Sequence, residues 1–87
     1  MKNQSPSLQF PCSFPVKVMG LNVEAFPSAI RAIVERHVVA GDISYTNQPS
    51  SGDKYISITA TFTAHSKEQL DALYQELNDH KLVLMTL

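Results

Sequence analysis

The feature that most constrains the fold is the strict alternation of apolar and polar residues over residues 54–64. Ile56, Ile58, Ala60 and Phe62 lie at alternate positions, and Tyr55 and small hydroxyl residues occupy the other positions. Successive side chains of a β-strand point to opposite faces of a sheet. The pattern therefore predicts a strand with one face on a core and the other face uncovered.

One helix is predicted before this strand in the chain and another after it. Apolar residues at helical spacing indicate a first helix that begins between Val23 and Phe26 and is stopped by Gly41. Ser66 and Gln69 have the spacing of a capping box, which predicts the start of a second amphipathic helix.

Three further strands complete the predicted set. A first strand ends at Gly20, where glycine would let the chain turn sharply, and a second contains Ile43 and Tyr45. The turn-forming residues 50–53 join that second strand to the central strand as a hairpin, and the apolar residues 82–87 form the last strand.

The resulting order, strand–helix–strand–strand–helix–strand, predicts an α+β fold, the ferredoxin-like βαββαβ sandwich. Its four-stranded antiparallel sheet has strand order 4-1-3-2, and right-handed crossovers place both helices on one face. The predicted core residues are Phe14, Val16, Val18, Ile30, Ile33, Val34, Ile56, Ile58, Phe62, Leu70, Leu73 and Leu77.

The length of 87 residues predicts a single domain over residues 10–87, preceded by a disordered tail over residues 1–9. A formal net charge of −1 gives no electrostatic reason to expect nucleic acid or an anionic membrane as partner. The polar N-terminal residues do not resemble a signal peptide. We therefore expect a soluble cytoplasmic domain.

The last strand requires an explanation because it is apolar on both faces. Its predicted alternation places Val83, Met85 and Leu87 on one face and Leu82 and Leu84 on the other. Either the helix ends and the Phe10 segment cover it, or it forms a partner surface, most simply in a homodimer through this edge or the open sheet face. We name Leu82 and Leu84 as candidate interface residues.

Several strings resemble the YbeD-like family of small bacterial proteins, which has no assigned biochemical activity. They occur in order at residues 10–20, Arg36-His37, 49–52 leading into 54–55, 73–77 and 83–85. The resemblance covers residues 10–87. It implies the ferredoxin-like fold and a similarity to ACT-type regulatory domains, which bind small molecules between paired sheets.

Catalytic and metal chemistry find little support in the sequence. Cys12 lies among prolines, and no local motif places a histidine beside it for nucleophilic catalysis. His37, His65 and His80 lack metal-ligand spacing, so we expect no metal, no cofactor and no enzymatic activity. Arg36 and His37 are interpreted as charges at a helix end or as ligand contacts, and the role of Cys12 stays open.

The sequence predicts a non-enzymatic regulatory or interaction module that takes a homodimeric or other protein partner or a small-molecule effector. Its predicted binding surface combines the open sheet face with the hairpin loop. The residues named are Lys17, Met19, Ser57 and Thr59 on the face and Ser50, Ser51 and Lys54 in the loop. The alternatives are a nucleic-acid-binding adaptor and, more weakly, an acylphosphatase-like hydrolase, although the loop at residues 20–23 lacks the arginine that such a hydrolase needs.

Overall fold

A computed structural model describes residues 9–50 and 52–87 of the chain. The expected N-terminal tail therefore lies outside the described residues, except for the exposed Gln9. The elements are β1 (Cys12–Leu21), α1 (Ala25–His37), a short 3₁₀ turn (Ala40–Asp42), β2 (Ser44–Pro49), β3 (Tyr55–Ala64), α2 (Lys67–Asp79) and β4 (Val83–Thr86).

The four strands form one antiparallel sheet in the order β2-β3-β1-β4, which is the predicted order read from the opposite edge. The central strands β1 and β3 pair over ten residues each, from Cys12 opposite Ala64 to Leu21 opposite Tyr55. The ferredoxin-like prediction is therefore confirmed.

The core lies between one face of the sheet and the two helices. Every second residue of β3 is buried and every residue between is half-buried, so only one face of this strand is covered. Ile58 of β3 packs in the same cluster as Ile30 of α1 and Leu73 of α2. Each such side chain contributes about 1.5–3 kcal/mol when fully buried. All predicted core residues are buried except Phe14, which is half-buried.

Gly20 has a different role from the predicted turn. The strand β1 continues through it to Leu21, and a Cβ atom at this position would collide with the ring of Phe26 and the carbonyl oxygen of Leu82. The glycine is needed because α1 and the segment before β4 approach the strand closely here. Phe26, absent from the predicted core list, is fully buried over this gap.

The helix α1 begins within the predicted limits and ends at His37, one of the two residues interpreted as helix-end charges. Val38 is already extended, with φ −135° and ψ 145°, and its N–H donates to the carbonyl oxygen of Val34. Gly41 belongs to the following 3₁₀ turn, so the prediction that it stops the helix is wrong. The helix ends by a change of backbone conformation at Val38, without a glycine.

The start of α2 confirms the predicted cap. The hydroxyl oxygen of Ser66 accepts a hydrogen bond from the N–H of Gln69 at 3.0 Å. The Gln69 side-chain oxygen accepts from the N–H of His65 at 2.7 Å, and its amide nitrogen donates to the carbonyl oxygen of His37 at 2.8 Å. One glutamine therefore joins the beginning of α2 to the end of α1.

A bulge changes the predicted faces of β4. Met85 pairs with Met19, but the next pair is Val83 with Gly20, so β4 contributes one extra residue at this point. An extra residue breaks the two-residue alternation of a strand. The predicted grouping of Val83 with Met85 and Leu87 is therefore wrong. Val83 packs against the core, and Met85 lies with Met19 on the open face.

Candidate interaction surface

The four predicted surface residues of the sheet are neighbours on the open face, which is the face opposite the helices. Lys17 pairs with Thr59, and Met19 pairs with Ser57. All four residues alternate with the buried residues of β1 and β3, so their side chains point away from the core. No described element packs on this face.

The predicted loop residues are held by contacts within the hairpin turn. The Ser50 hydroxyl oxygen accepts from the Tyr55 N–H at 3.1 Å, and the Lys54 ammonium lies 5.7 Å from the centre of the Tyr55 ring. Gly52 and Asp53 both have positive φ, at 89° and 58°, which makes the turn tight. Ser51 lies outside the described residues.

This turn is also attached to the beginning of the segment between β1 and α1. The Asn22 side-chain amide donates to the carbonyl oxygen of Asp53 at 3.1 Å, and its backbone N–H donates to the carbonyl oxygen of Lys54 at 3.0 Å. Ser50 and Lys54 therefore first serve the structure of the turn. Their predicted binding role stays a prediction.

The open face carries an apolar patch of which only Met19 was predicted from the sequence. We define the apolar patch as Met19, Met85 and Leu87. Met85 lies opposite Met19, and Leu87 exchanges two backbone hydrogen bonds with Lys17, at 3.2 and 2.8 Å. Met85 is 50% exposed and Leu87 is 63% exposed. The signal was hidden because the bulge in β4 changes which face these residues occupy.

The two predicted interface residues have different environments. Leu82 precedes β4 and is half-buried against the core, whereas Leu84 is 54% exposed. Leu84 is therefore the member of the pair that is available to a partner. An interface role for either residue stays a prediction.

Arg36 and His37 meet Glu76 across the two helices. The Arg36 guanidinium forms an ion pair with one carboxylate oxygen of Glu76, and His37 Nε2 lies 2.7 Å from the other. All three side chains are partly exposed. Because an exposed ion pair contributes little to stability, this cluster mainly orients the end of α1 against α2. The helix-end interpretation accounts for the geometry.

Tyr45 of the edge strand β2 also has an unusual environment. The Arg31 guanidinium lies 4.5 Å from the centre of its ring. Its hydroxyl group is buried, and no described group forms a hydrogen bond with it. Desolvation by this burial raises the pKa of Tyr45 above its ordinary value, and the nearby Glu35 carboxylate adds to the effect.

The described part of the chain contains neither a cluster of metal ligands nor a membrane-spanning helix. No three His, Cys, Asp or Glu side chains come together within residues 9–50 and 52–87. In the same part of the chain, neither helix has the length and apolar character needed to cross a membrane.

Residues 5–87 match the family described as "Protein of unknown function (DUF493)". The chain belongs to this family. It is 37% identical over 81 residues to the UPF0250 protein of Nitrosomonas europaea, covering 92% of this chain and 93% of that protein. It is 42% identical over 81 residues to the UPF0250 protein of Leptothrix cholodnii, covering 92% and 89%. The resemblance to the YbeD-like proteins is thereby confirmed.

Solved structures support the fold of this DUF493 protein. The solution structure of HP0495 from Helicobacter pylori aligns with a TM-score of 0.74 at 15% identity, covering 97% of this chain and 89% of that chain. The C-terminal domain of the MgtC protein from Mycobacterium tuberculosis aligns with a TM-score of 0.71 at 20% identity, covering 94% and 89%. At these identities the likeness concerns the fold alone.

Proposed function

We propose that this DUF493 protein is a non-enzymatic interaction module whose apolar patch binds a protein partner. The observation that carries the proposal is the position of Met85 and Leu87, two strongly exposed apolar residues on a sheet face that no described element covers. Contiguous exposed apolar residues on a small domain are typical of a binding surface.

The chemistry of the apolar patch suits a protein partner. Methionine side chains are unbranched and polarizable, so Met19 and Met85 can adapt to the shape of a partner surface. The hydroxyl residues Ser57 and Thr59 beside them provide a flat polar margin, as is usual around the apolar centre of an interface. Lys17 adds one positive charge at this margin.

The charged residues support a binding module better than a catalyst. Arg36 and His37 are already engaged by Glu76, and their contacts join two helices. Asn22, in the loop where a hydrolase of the acylphosphatase type would need its arginine, is engaged by the hairpin turn. The proposal therefore assigns no catalytic residue.

The proposal is tested by comparing the proteins captured from a bacterial lysate by the wild-type chain and by Met85→Lys. The matched control is Gln75→Lys, which makes the same charge change on the exposed side of α2. We expect wild type and control to retain the same partner, and Met85→Lys to retain at least about tenfold less of it. Equal retention by all three chains would contradict the proposal.

A small-molecule effector is the second candidate, favoured by the position of Lys17 opposite Thr59 on the open face. An ammonium beside hydroxyl groups is suited to a carboxylate ligand. Amino acids and other small carboxylates should then raise the melting temperature of wild type but not of Lys17→Met. The nucleic-acid alternative would instead give salt-dependent retention on immobilised RNA.

A further inference from the structure

The two edges of the sheet differ in how well they are protected against pairing with another strand. The edge strand β4 is four residues long and contains the bulge, both of which hinder pairing. The other edge strand, β2, is six residues long and pairs with β3 without a register shift. It contains no charged residue, and Pro49 is its last residue.

The backbone groups that β2 presents at its outer side follow from its pairing with β3. The N–H of Ser50 donates to the carbonyl oxygen of Tyr55 at 2.8 Å. Because bonded pairs alternate along an antiparallel ladder, Gln48 and Thr46 also bond to β3, whereas Tyr45 and Asn47 direct their N–H and C=O groups outward. Among the described residues, none bonds to these outward groups.

Pro49 follows the same alternation, so its backbone groups also point away from β3. Its missing N–H therefore costs no hydrogen bond to β3. Its carbonyl oxygen remains available as an acceptor. The outer side of β2 is thus a row of backbone groups that no described residue engages, without a charge, a bulge or an internal proline to oppose a second strand.

We propose that this edge pairs antiparallel with β2 of a second copy of the chain, with Thr46 at the two-fold axis, so that two sheets become one. This register satisfies the alternation of the ladder, because it pairs outward residues with outward residues. It places Tyr45 opposite Asn47 of the other copy, and these outward residues can exchange both backbone hydrogen bonds. It also brings the N–H of Ile43 to the carbonyl oxygen of Pro49 in the second copy.

The side chains are self-complementary in the same register. Thr46 lies opposite Thr46 of the second copy, and Gln48 lies opposite Ser44, so polar uncharged groups face each other on the open side. In this register Pro49 meets Ile43, outside β2, so the missing donor affects only the end of the ladder. A register centred on Asn47 would instead place Pro49 opposite Tyr45, inside β2, where one of the two bonds has no donor. Such self-complementarity is what an isologous two-fold interface requires, and a second copy is therefore the occupant.

This inference goes beyond the proposed function and uses a different part of the sheet. The apolar patch lies at the β1–β4 side, and the pairing edge lies at β2. Pairing at β2 would leave the apolar patch of each copy free. Met85→Lys should therefore leave the oligomeric state unchanged, which separates a failure of one proposal from a failure of the other.

The test is sedimentation equilibrium of the full chain together with two charge variants, Thr46→Lys and Thr46→Glu. We expect wild type to dimerise with a Kd on the order of 1–100 µM, as befits a small interface. Each charge variant should weaken dimerisation at least about tenfold, because like charges would lie directly opposite each other. An equimolar mixture of the two variants should dimerise again, because opposite charges would then meet at the axis.

Backbone evidence comes from Asn47→Pro and from amide hydrogen exchange. Asn47→Pro removes an outward N–H but no bond to β3, so it should abolish dimerisation while the circular dichroism stays that of the folded chain. In wild type, the amides of Tyr45 and Asn47 should become protected as concentration rises, whereas those of Thr46 and Gln48 should be protected throughout. If Asn47→Pro does not fold, the Thr46 pair decides the question.

A wild-type chain that remains monomeric up to about 500 µM would overturn the inference. So would charge variants that dimerise like wild type, or a mixture of them that remains monomeric. Gln75→Lys, whose charge lies on α2, serves as the matched control and should dimerise like wild type.

Discussion

The two faces of the central strands β1 and β3 share one backbone but have opposite chemistry. On the helix side, Val18 lies opposite Ile58 and both are almost completely buried. One residue away on the open side, Lys17 lies opposite Thr59 and the side chains remain in contact with solvent. The residues of the first face stabilise the fold. The residues of the second face contribute little to stability and are therefore available for binding.

The sharpest test of this difference compares Ile58→Ala with its neighbour Thr59→Ala. Removing the Ile58 side chain leaves a cavity between the sheet and both helices, so the free energy of unfolding should fall by about 2–5 kcal/mol. Thr59→Ala should change it by less than about 0.5 kcal/mol. Urea unfolding measures both. Similar losses for the two variants would show that the open face is covered.

Gly20→Ala and Met19→Ala make the same comparison at the end of β1. The new methyl group at position 20 would collide with Phe26 and the Leu82 carbonyl oxygen, which should cost about 1–3 kcal/mol. Met19→Ala alters only the open face and should be nearly neutral. A Gly20→Ala chain with unchanged thermal stability would mean that α1 does not lie as close to β1 as described.

A smaller effect is expected at the helices that cover the buried face. Ser66→Ala removes the hydroxyl oxygen that accepts from the Gln69 N–H, so it should lower the free energy of unfolding by about 1 kcal/mol. The control is Ser28→Ala at an exposed position inside α1, where alanine should not destabilise the helix. Both values come from urea unfolding, and equal losses would contradict the capping role.

The smallest effect concerns alkaline pH and the buried hydroxyl group of Tyr45. Burial raises the pKa of Tyr45 above 10.0, so the native state favours the protonated form. The associated stability is complete below pH 10, the unfolded value, and is lost as pH rises through the higher native value. Unfolding measured from pH 9 to 12 should show this loss.

The matched variant is Tyr45→Phe, which removes a buried hydroxyl that no described group satisfies. Its stability at neutral pH should equal or slightly exceed that of wild type. Its loss of stability at alkaline pH should be smaller than that of wild type. An identical pH dependence in the two chains would show that Tyr45 does not titrate abnormally.

Local signals in the sequence predicted most of the fold, because their physical causes are local. The alternation around Ile58 and the cap at Ser66 depend on residues close in the chain, and both are confirmed. The prediction of which β4 residues share a face was wrong because the bulge arises only from pairing with β1, which lies far away in the sequence. Gly20 was misinterpreted because the ring of Phe26, which leaves no room for a side chain at position 20, approaches it only in the folded chain.

The candidate surface was predictable only in part for the same reason. Lys17 and Thr59 follow from the alternation of two regular strands, and the structure places them side by side. Met85 and Leu87 escaped the sequence analysis because a single extra residue upstream changes the side to which they point. The engagement of Ser50 within its own turn likewise depends on a hydrogen bond that composition does not reveal.

The contacts of Gln69 make this position more sensitive to substitution than its exposure suggests. Its side chain is half-exposed and polar, so a deep mutational scan would ordinarily be expected to tolerate many replacements there. Yet the same amide group holds the first turn of one helix and the final carbonyl of the other. We expect Gln69 to be among the few solvent-accessible positions at which even glutamate, which cannot donate to His37, is selected against.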